Sequence, residues 1–334
     1  MLSVTTTGKV AGRRLSGFYT DVINGLKASN KHLYSKYFYD EAGDKLFQQI
    51  MACPEYYPTR CEMEIMQHQS DSIVRWLQGE GGFGGRTAPF DLVELGPGDA
   101  TKSYYLLREL LKEKASFRYY PIDISSNVIE SLDNRLPVCL PGLQWQGMNG
   151  EYLEKMEQVA TVSANRKIIL FMGANIGKMT PQQAVHFCRQ LHDRMQPGDL
   201  LLIGFDLKKH PKVILDAYND RQGITRAFNL NLLRRINREL EADFDPEQFE
   251  HYPVYDPGTG ACRSYLISRT RQTVHIGEWE TVEFRENEPI FMEISQKYSL
   301  EETDVLAEQS GFVPVHSFFD SKKWFADILW QRMP

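Results

Sequence analysis

Gly96 and Gly98 close an apolar run, Asp91-Leu-Val-Glu-Leu95, and Asp123 closes the next one, Tyr119-Tyr-Pro-Ile-Asp123. Glycines in such a turn let backbone amides approach a ligand closely. A carboxylate ending the following strand accepts hydrogen bonds from the two hydroxyls of a ribose. The three residues together point to a nucleoside. The turn does not reach a third glycine in the GxGxxG register, because position 101 is Thr. A pyrophosphate relies on that tight, glycine-rich helix start. A nucleoside without phosphates does not, which favours S-adenosylmethionine (SAM) over NAD. Singly, the glycines read as a tight turn and Asp123 as a helix cap; neither plain reading accounts for all three at this spacing.

The elements that must hold these residues alternate. Strands are expected at 91–95, 117–123, near 143–146, at 167–172 and at 200–205, with helices at 101–114, 125–135 and from Thr180-Pro181 onward. The runs are apolar without alternation, as suits strands buried on both faces of a parallel sheet. Before them come a helical stretch at 16–30, a short helix at 44–51, a two-proline loop at 53–60, a long amphipathic helix at 62–78 and a glycine-rich connector at 79–85. After them, 211–242 read as helices and 263–294 as antiparallel strands. The chain then finishes with a helix to about Gln309 and a hairpin, Val313–Phe319 with Trp324–Trp330. That closing pattern is how a Rossmann-like methyltransferase sheet ends, and it again favours SAM. The expected fold is α/β: a Rossmann-like class I methyltransferase sheet with a second, α+β substrate-binding domain. The expected division is 60–204 plus 293–334 for the SAM-binding domain and 10–59 plus 205–292 for the substrate-binding domain.

The 334 residues are 42% hydrophobic and 25% charged, ordinary for a globular protein, with a net charge of −6. An acidic balance argues against nucleic acid as the main partner. No apolar run reaches membrane-spanning length, and residues 1–15 carry no apolar signal core. Five cysteines without CxxC spacing suggest reduced thiols in a cytoplasmic protein and no metal site. Without a coiled-coil heptad, a monomer is the expectation.

Several longer pieces are more specific. They are Tyr37-Phe-Tyr-Asp40 with Pro54-Glu-Tyr-Tyr-Pro-Thr-Arg60, Val93-Glu-Leu-Gly96 with Thr101-Lys102, Ala227-Phe-Asn-Leu-Asn231 with Ile236-Asn-Arg-Glu-Leu240, and Glu293-Ile-Ser-Gln-Lys297. In this order, from about Lys36 to the end, the chain resembles the histidine α-N-methyltransferases of the ergothioneine pathway, SAM enzymes that trimethylate free histidine to hercynine. The resemblance implies a cofactor site at Gly96, Gly98, Lys102 and Asp123, with Glu151 and Tyr152 at the adenine. The family usually has aspartate and phenylalanine at the last two positions; Glu-Tyr keeps an acid and a ring.

For the amino acid, the resemblance implies Tyr56, Tyr218, Glu293 and Ser295, with Gly173 and position 178 in the loop after the fourth strand. Tyr218, at a helix end, is expected to donate to the substrate carboxylate. Glu293 and Ser295 lie on one face of a strand and suit an imidazole. Where the family's loop ends Ile-Gly-Asn, this chain has Ile176-Gly-Lys178. Lysine binds a carboxylate as a cation, accepts no hydrogen bond, and lowers the pKa of a nearby amine. The reaction expected is in-line displacement by a neutral amine, without metal or covalent intermediate; no residue is assigned as general base. Tyr39, Phe47 and Tyr56 are expected to line the space for a growing trimethylammonium group. Another aromatic or modified amino acid is the alternative substrate, and a non-catalytic SAM-binding protein the more distant one. A DNA amino-methylating enzyme usually carries an Asp/Asn-Pro-Pro-aromatic turn after the fourth strand, where this chain has Met172-Gly-Ala-Asn-Ile-Gly177.

Overall fold

A computed structural model describes residues 17–79 and 88–333. The elements, in chain order, are α1 (Gly17–Lys27), α2 (Glu41–Ala52), α3 (Tyr57–Leu77), β1 (Phe90–Leu95), α4 (Ser103–Lys112), β2 (Phe117–Asp123), α5 (Ser126–Cys139), β3 (Met148–Asn149), α6 (Tyr152–Val162), β4 (Arg166–Phe171), α7 (Pro181–Arg194) and β5 (Leu200–Asp206). They continue with α8 (Pro211–Ala217), α9 (Ile224–Leu240), β6 (Phe249–Asp256), β7 (Ala261–Ser268), β8 (Gln272–Ile276), β9 (Glu280–Phe284), β10 (Pro289–Gln296), α10 (Leu300–Gln309), β11 (Phe312–Phe319) and β12 (Phe325–Arg332).

Local chemistry explains many of the boundaries. Thr180 caps α7 through a reciprocal pair with Gln183, and Pro181 costs nothing at a position with no helical partner for its missing N–H. Ser299 and Glu302 do the same for α10. Asp40 caps α2, accepting from Gly43 N at 2.8 Å. α3 starts earlier than expected: Tyr57 already belongs to it, because Pro58 is tolerated in a first turn and only Cys53–Tyr56 remain as loop. α4 starts later, at Ser103, because Ala100 takes a left-handed turn (φ 50) and Lys102 stands at the cap. The strand expected near 143–146 is reduced to a single bridge, Tyr119 to Trp145, ahead of the two-residue β3. Of the glycine-rich connector, only Gly79 lies within the described residues.

The described residues fall into two compact units. The larger takes those of 39–228, 253–264 and 294–334. It holds a seven-stranded sheet in the order β11-β12-β5-β4-β1-β2-β3. β1 pairs in parallel with β2 and β4, β4 with β5 and β2 with β3, while β12 runs antiparallel to both β5 and β11. Every residue of β1 and β5 is buried. One face carries Leu92, Tyr119, Leu170 and Leu202 against α3, α4 and α5; the other carries Val93, Tyr120, Phe171 and Ile203 against α6, α7 and α10. Two covered faces account for the unbroken apolar runs. This strand order, with parallel pairs and an antiparallel closing strand, is the Rossmann-like methyltransferase sheet.

The smaller unit takes the described residues of 1–38 together with 229–252 and 265–293. Its core brings the rings of Phe244, Phe249 and Phe284 to within about 6 Å of one another. β8 and β9 pair as a hairpin, and Tyr37 Oη donates to Asp21 at 2.7 Å. β6, β7 and β10 form a three-stranded sheet in the order β10-β7-β6. The division therefore differs from the expected one over 39–59, 205–228 and 253–264, all of which go with the larger unit. Tyr56 and Tyr57, with Ile214 and Ala217 of α8, pack into the core of the larger sheet, so 39–59 and 205–228 go with it.

Candidate functional site

The C-terminal ends of β1, β2, β4 and β5 bring the sequence-expected residues of the larger unit together, as expected for ligand sites in open α/β sheets. At the end of β1 the chain turns through Gly96 (φ +74) and Gly98 (φ +56). Gly96 has no room for a side chain: a Cβ there would lie 2.6 Å from Tyr152 Oη and 3.3 Å from Asn175 Nδ2. Tyr152, the first residue of α6, thus stands directly over the glycine turn. Asp123 ends β2 half-buried, its Oδ1 accepting from Ser125 N at 2.9 Å. Burial raises its pKa; the N–H groups of Ser125 and Gly98 and the charge of Lys178 oppose that shift. Burial also pushes the Tyr152 phenol up to about 12, with Lys178 again opposing. Glu151 is exposed as the N-cap of α6.

Lys102 is not alone beneath this turn. Its ammonium pairs with Glu62, a wholly buried residue of α3, whose Oε1 also accepts from Gly173 N at 2.6 Å. Burial works against the charge on Lys102, and the Glu62 carboxylate outweighs it, so its pKa goes up. Asp327 of β12 is fully buried nearby, and burial plus the charge of Glu62 hold it protonated far above the usual range. Glu94, buried two residues before Gly96, accepts from Tyr119 Oη, and burial lifts its pKa to about 7. Glu62, Gly173 and Lys102 form one knot that ties α3, the loop after β4 and the start of α4.

A second set of side chains forms a cup. Tyr39, Phe47, Tyr56 and Tyr218 follow each other edge-on, with centroids 5.6, 6.5 and 6.1 Å apart, and Phe228 lies 5.8 Å from Tyr39. Burial keeps Tyr56 neutral, its pKa well above the ordinary value. Lys178 donates to Tyr39 Oη at 3.1 Å and lies 4.9 Å over its ring. Because its charge also acts on Asp123 and Tyr152, Lys178 connects the glycine turn to the aromatic cup. Gly177 permits this loop path: a Cβ there would sit 2.8 Å from Gln296 O.

At the base of the cup, Tyr218 Oη and Ser295 Oγ are 2.6 Å apart. Both accept from Lys297 Nζ at 2.8 Å. Lys297 is fully buried and pairs with Asp206 at 2.6 Å. Asp206, at the end of β5, also accepts from Tyr57 Oη at 2.9 Å and from Lys209. Burial opposes its charge, but Lys297 and Lys209 outweigh that and hold its pKa below the usual range. Tyr218 and Ser295, expected at opposite ends of a substrate, are thus one hydrogen-bonded pair. Glu293 is half-buried on β10, alternating with buried Met292 and Ile294, and falls in the smaller unit.

Sequence reasoning missed Glu62, Asp206 and Lys297. Glu62 looked like the polar stripe of an amphipathic helix. Lys297 stood at the end of the quoted piece Glu293-Ile-Ser-Gln-Lys297 without a role. Asp206 carried the clearer signal, an acid directly ending an apolar parallel strand, where such sheets bind ligands.

Residues 18–332 match the family model described as histidine-specific methyltransferase, SAM-dependent. The chain belongs to this family. A histidine N-alpha-methyltransferase of Mycolicibacterium smegmatis is 35% identical over 301 residues, covering 90% of each chain. Its counterpart in Mycobacterium tuberculosis is 34% identical over 83% of each. The ergothioneine biosynthesis protein 1 of Schizosaccharomyces pombe is 28% identical over 86% of this chain and 37% of its own length. More distantly, an L-tryptophan methyltransferase of Psilocybe serbica is 26% identical over 88% of this chain and 86% of its own. Among solved structures, the magnesium protoporphyrin IX methyltransferase of Synechocystis with bound SAH superposes with a TM-score of 0.43 at 13% identity, covering 89% of this chain and 97% of that one. The histidine-specific family uses SAM as co-substrate, and this member is a SAM-dependent N-methyltransferase. Among the described residues, no helix is long and apolar enough to cross a membrane.

Proposed function

We propose that this enzyme methylates the α-amino group of free L-histidine three times, giving N,N,N-trimethylhistidine (hercynine). The observation that carries the reading is the cup itself: aromatic rings, a hydroxyl pair and a lysine arranged beside the glycine turn. In this reading the turn residues take a nucleoside without phosphates, Gly96 and Asp123 meeting the ribose and Tyr152 packing on the base. SAM supplies an electrophilic methyl group on sulfur. The protein's own contribution is alignment of a neutral amine in line with that methyl and exclusion of water. Tyr39, Phe47 and Tyr56 offer ring faces to the cationic product. Lys178 meets the substrate carboxylate and lowers the pKa of the adjacent amine, favouring the form that attacks. The proton released goes to water. Glu151 completes the adenine subsite.

Lys178 also favours a second reading, another amino acid as substrate, because the family's asparagine is absent here. Titration calorimetry with each amino acid in the presence of S-adenosylhomocysteine, then mass spectrometry of the SAM reaction, decides between them. Histidine binding with mass gains of one, two and three methyl groups is expected. Binding of a different amino acid would sink the histidine reading and make position 178 the specificity residue. Silence across the panel would sink both. The same reading includes a monomer in the cytoplasm, in keeping with five free thiols.

A further inference from the structure

Glu62 gathers two donors on one carboxylate. Its Oε1 accepts from Gly173 N at 2.6 Å, and its Oε2 accepts from the Lys102 ammonium. The residue has no exposed surface and lies over Gly204 of β5, where a Cβ would come within 2.5 Å of Oε1. Gly204 is the cross-strand partner of Asp327 on β12, so both residues face Glu62 from the same side of the sheet. Asp327 keeps its proton and adds no charge. An ammonium has three N–H donors, and among the described residues Glu62 takes one of those on Lys102. Lys102 keeps 21% of its side chain exposed. Its Nζ is 3.2 Å from where a Gly173 Cβ would stand, and Asn175 Nδ2 lies 3.5 Å from that point and 3.3 Å from the corresponding point on Gly96. The ammonium therefore borders the gap between the turn after β1 and the loop after β4.

We infer that Glu62 is a positioning residue for the cofactor: by bridging Lys102 and Gly173 it holds the Lys102 ammonium at this gap, where it meets the carboxylate of the amino-acid tail of SAM. That carboxylate is the one anionic group on SAM, and an ammonium only donates. Burial works against the charge on Lys102, and the bonded Glu62 outweighs it; Asp327 and Glu94 act on Lys102 more weakly, through space. Without Glu62 the ammonium would stand over the sheet with no bonded counter-charge, and it would lose its proton or turn to solvent. Glu62 is itself too deeply buried to touch a ligand and acts through Lys102. The inference rests on the glycine turn as the SAM site. It goes beyond that reading by naming the group on the cofactor that Lys102 meets and the residue that keeps Lys102 there.

The test is calorimetry with two ligands: S-adenosylhomocysteine and its decarboxylated analogue, which keeps the nucleoside, the sulfur and the amine. The natural protein is expected to bind S-adenosylhomocysteine on the order of tenfold or more tighter than the analogue. Lys102→Met and Glu62→Gln should each bring that ratio close to one, chiefly by weakening S-adenosylhomocysteine. Glutamine keeps an acceptor for Gly173 N and removes the charge that faces Lys102. Because both variants remove the same contact, Glu62→Gln should add little in the Lys102→Met background. A role for Glu62 in the fold alone would weaken both ligands alike and keep the ratio, which overturns the proposal, as do additive losses. A natural protein that binds the two ligands equally overturns it without any variant. Should Glu62→Gln fail to fold alone, Glu62→Gln with Lys102→Met removes both buried charges; S-adenosylhomocysteine affinity equal to that of Lys102→Met supports the inference, and a further loss overturns it. Gly96→Ala with both affinities unchanged would be a different result, removing the glycine turn as the cofactor site.

Discussion

Glu94→Gln should make stability less dependent on pH, and the size follows from where Glu94 sits. The carboxyl is buried in β1, accepts from Tyr119 Oη, and has its pKa lifted by burial from 4.5 to about 7. Below the unfolded value both states carry the proton, and Glu94 costs nothing. As pH rises from 4.5 to 7, the unfolded chain releases its proton while the folded chain keeps it, so stability falls. Above 7 both are ionised, and the full penalty stands. A shift of roughly 2.5 units at about 1.4 kcal/mol per unit makes that penalty about 3 kcal/mol. Glutamine retains an acceptor for Tyr119 and cannot ionise. Urea unfolding of natural protein and Glu94→Gln at pH 4.5 and pH 8 measures the difference directly. Relative to natural protein, the variant should gain about 3 kcal/mol on going from the lower pH to the higher. Two curves that stay parallel would refute the reasoning, meaning that Glu94 ionises at an ordinary pH despite its burial.

Other outcomes bear on the site. Gly96→Ala should weaken S-adenosylhomocysteine binding about tenfold or more by calorimetry, because a left-handed alanine costs about 1–2 kcal/mol and its Cβ displaces Tyr152 from the turn; unchanged affinity would remove Tyr152 from the base. Lys178→Asn should shift the acid limb of the kcat/KM profile to higher pH, since a neighbouring cation no longer holds the substrate amine's pKa down; an unmoved limb would place Lys178 away from the amine. Tyr39→Ala and Tyr56→Ala should each cost about 0.5–2 kcal/mol of affinity for the trimethylated product, measured by calorimetry; unchanged product binding would show that these rings do not cradle the cationic head.

Much of the larger unit was legible because its signals are local. A buried parallel strand has no polar face, so apolar runs such as Leu200–Phe205 mark β5 directly, and Thr180-Pro181 marks the start of α7. The boundaries that failed were set by packing. α3 takes in Tyr57 and Pro58, and α8 joins the sheet through Ile214 and Ala217, neither of which a single-residue pattern reveals. The aromatic candidates Tyr39, Phe47 and Tyr56 came from separate pieces of sequence, but their edge-on succession exists only once the chain folds Tyr39 and Tyr56 onto Phe47 of α2.

By itself, the sequence determined the nucleoside-binding strand–turn–strand order, the class of sheet and the kinship with histidine-specific methyltransferases. Each of these depends on the order of residues along short stretches of chain. Tertiary structure alone decided how the polar side chains work. Glu62 became the common partner of Lys102 and Gly173 because α3 lies across the sheet. Tyr218 and Ser295 became one pair because a lysine from β10's end, an acid from β5 and a tyrosine from α8's end meet where water is excluded. Hydrogen-bond partners and charge state are set by neighbours in space, and such neighbours stand far apart in the chain: 40 positions for Glu62 and Lys102, 77 for Tyr218 and Ser295, 149 for Tyr57 and Asp206.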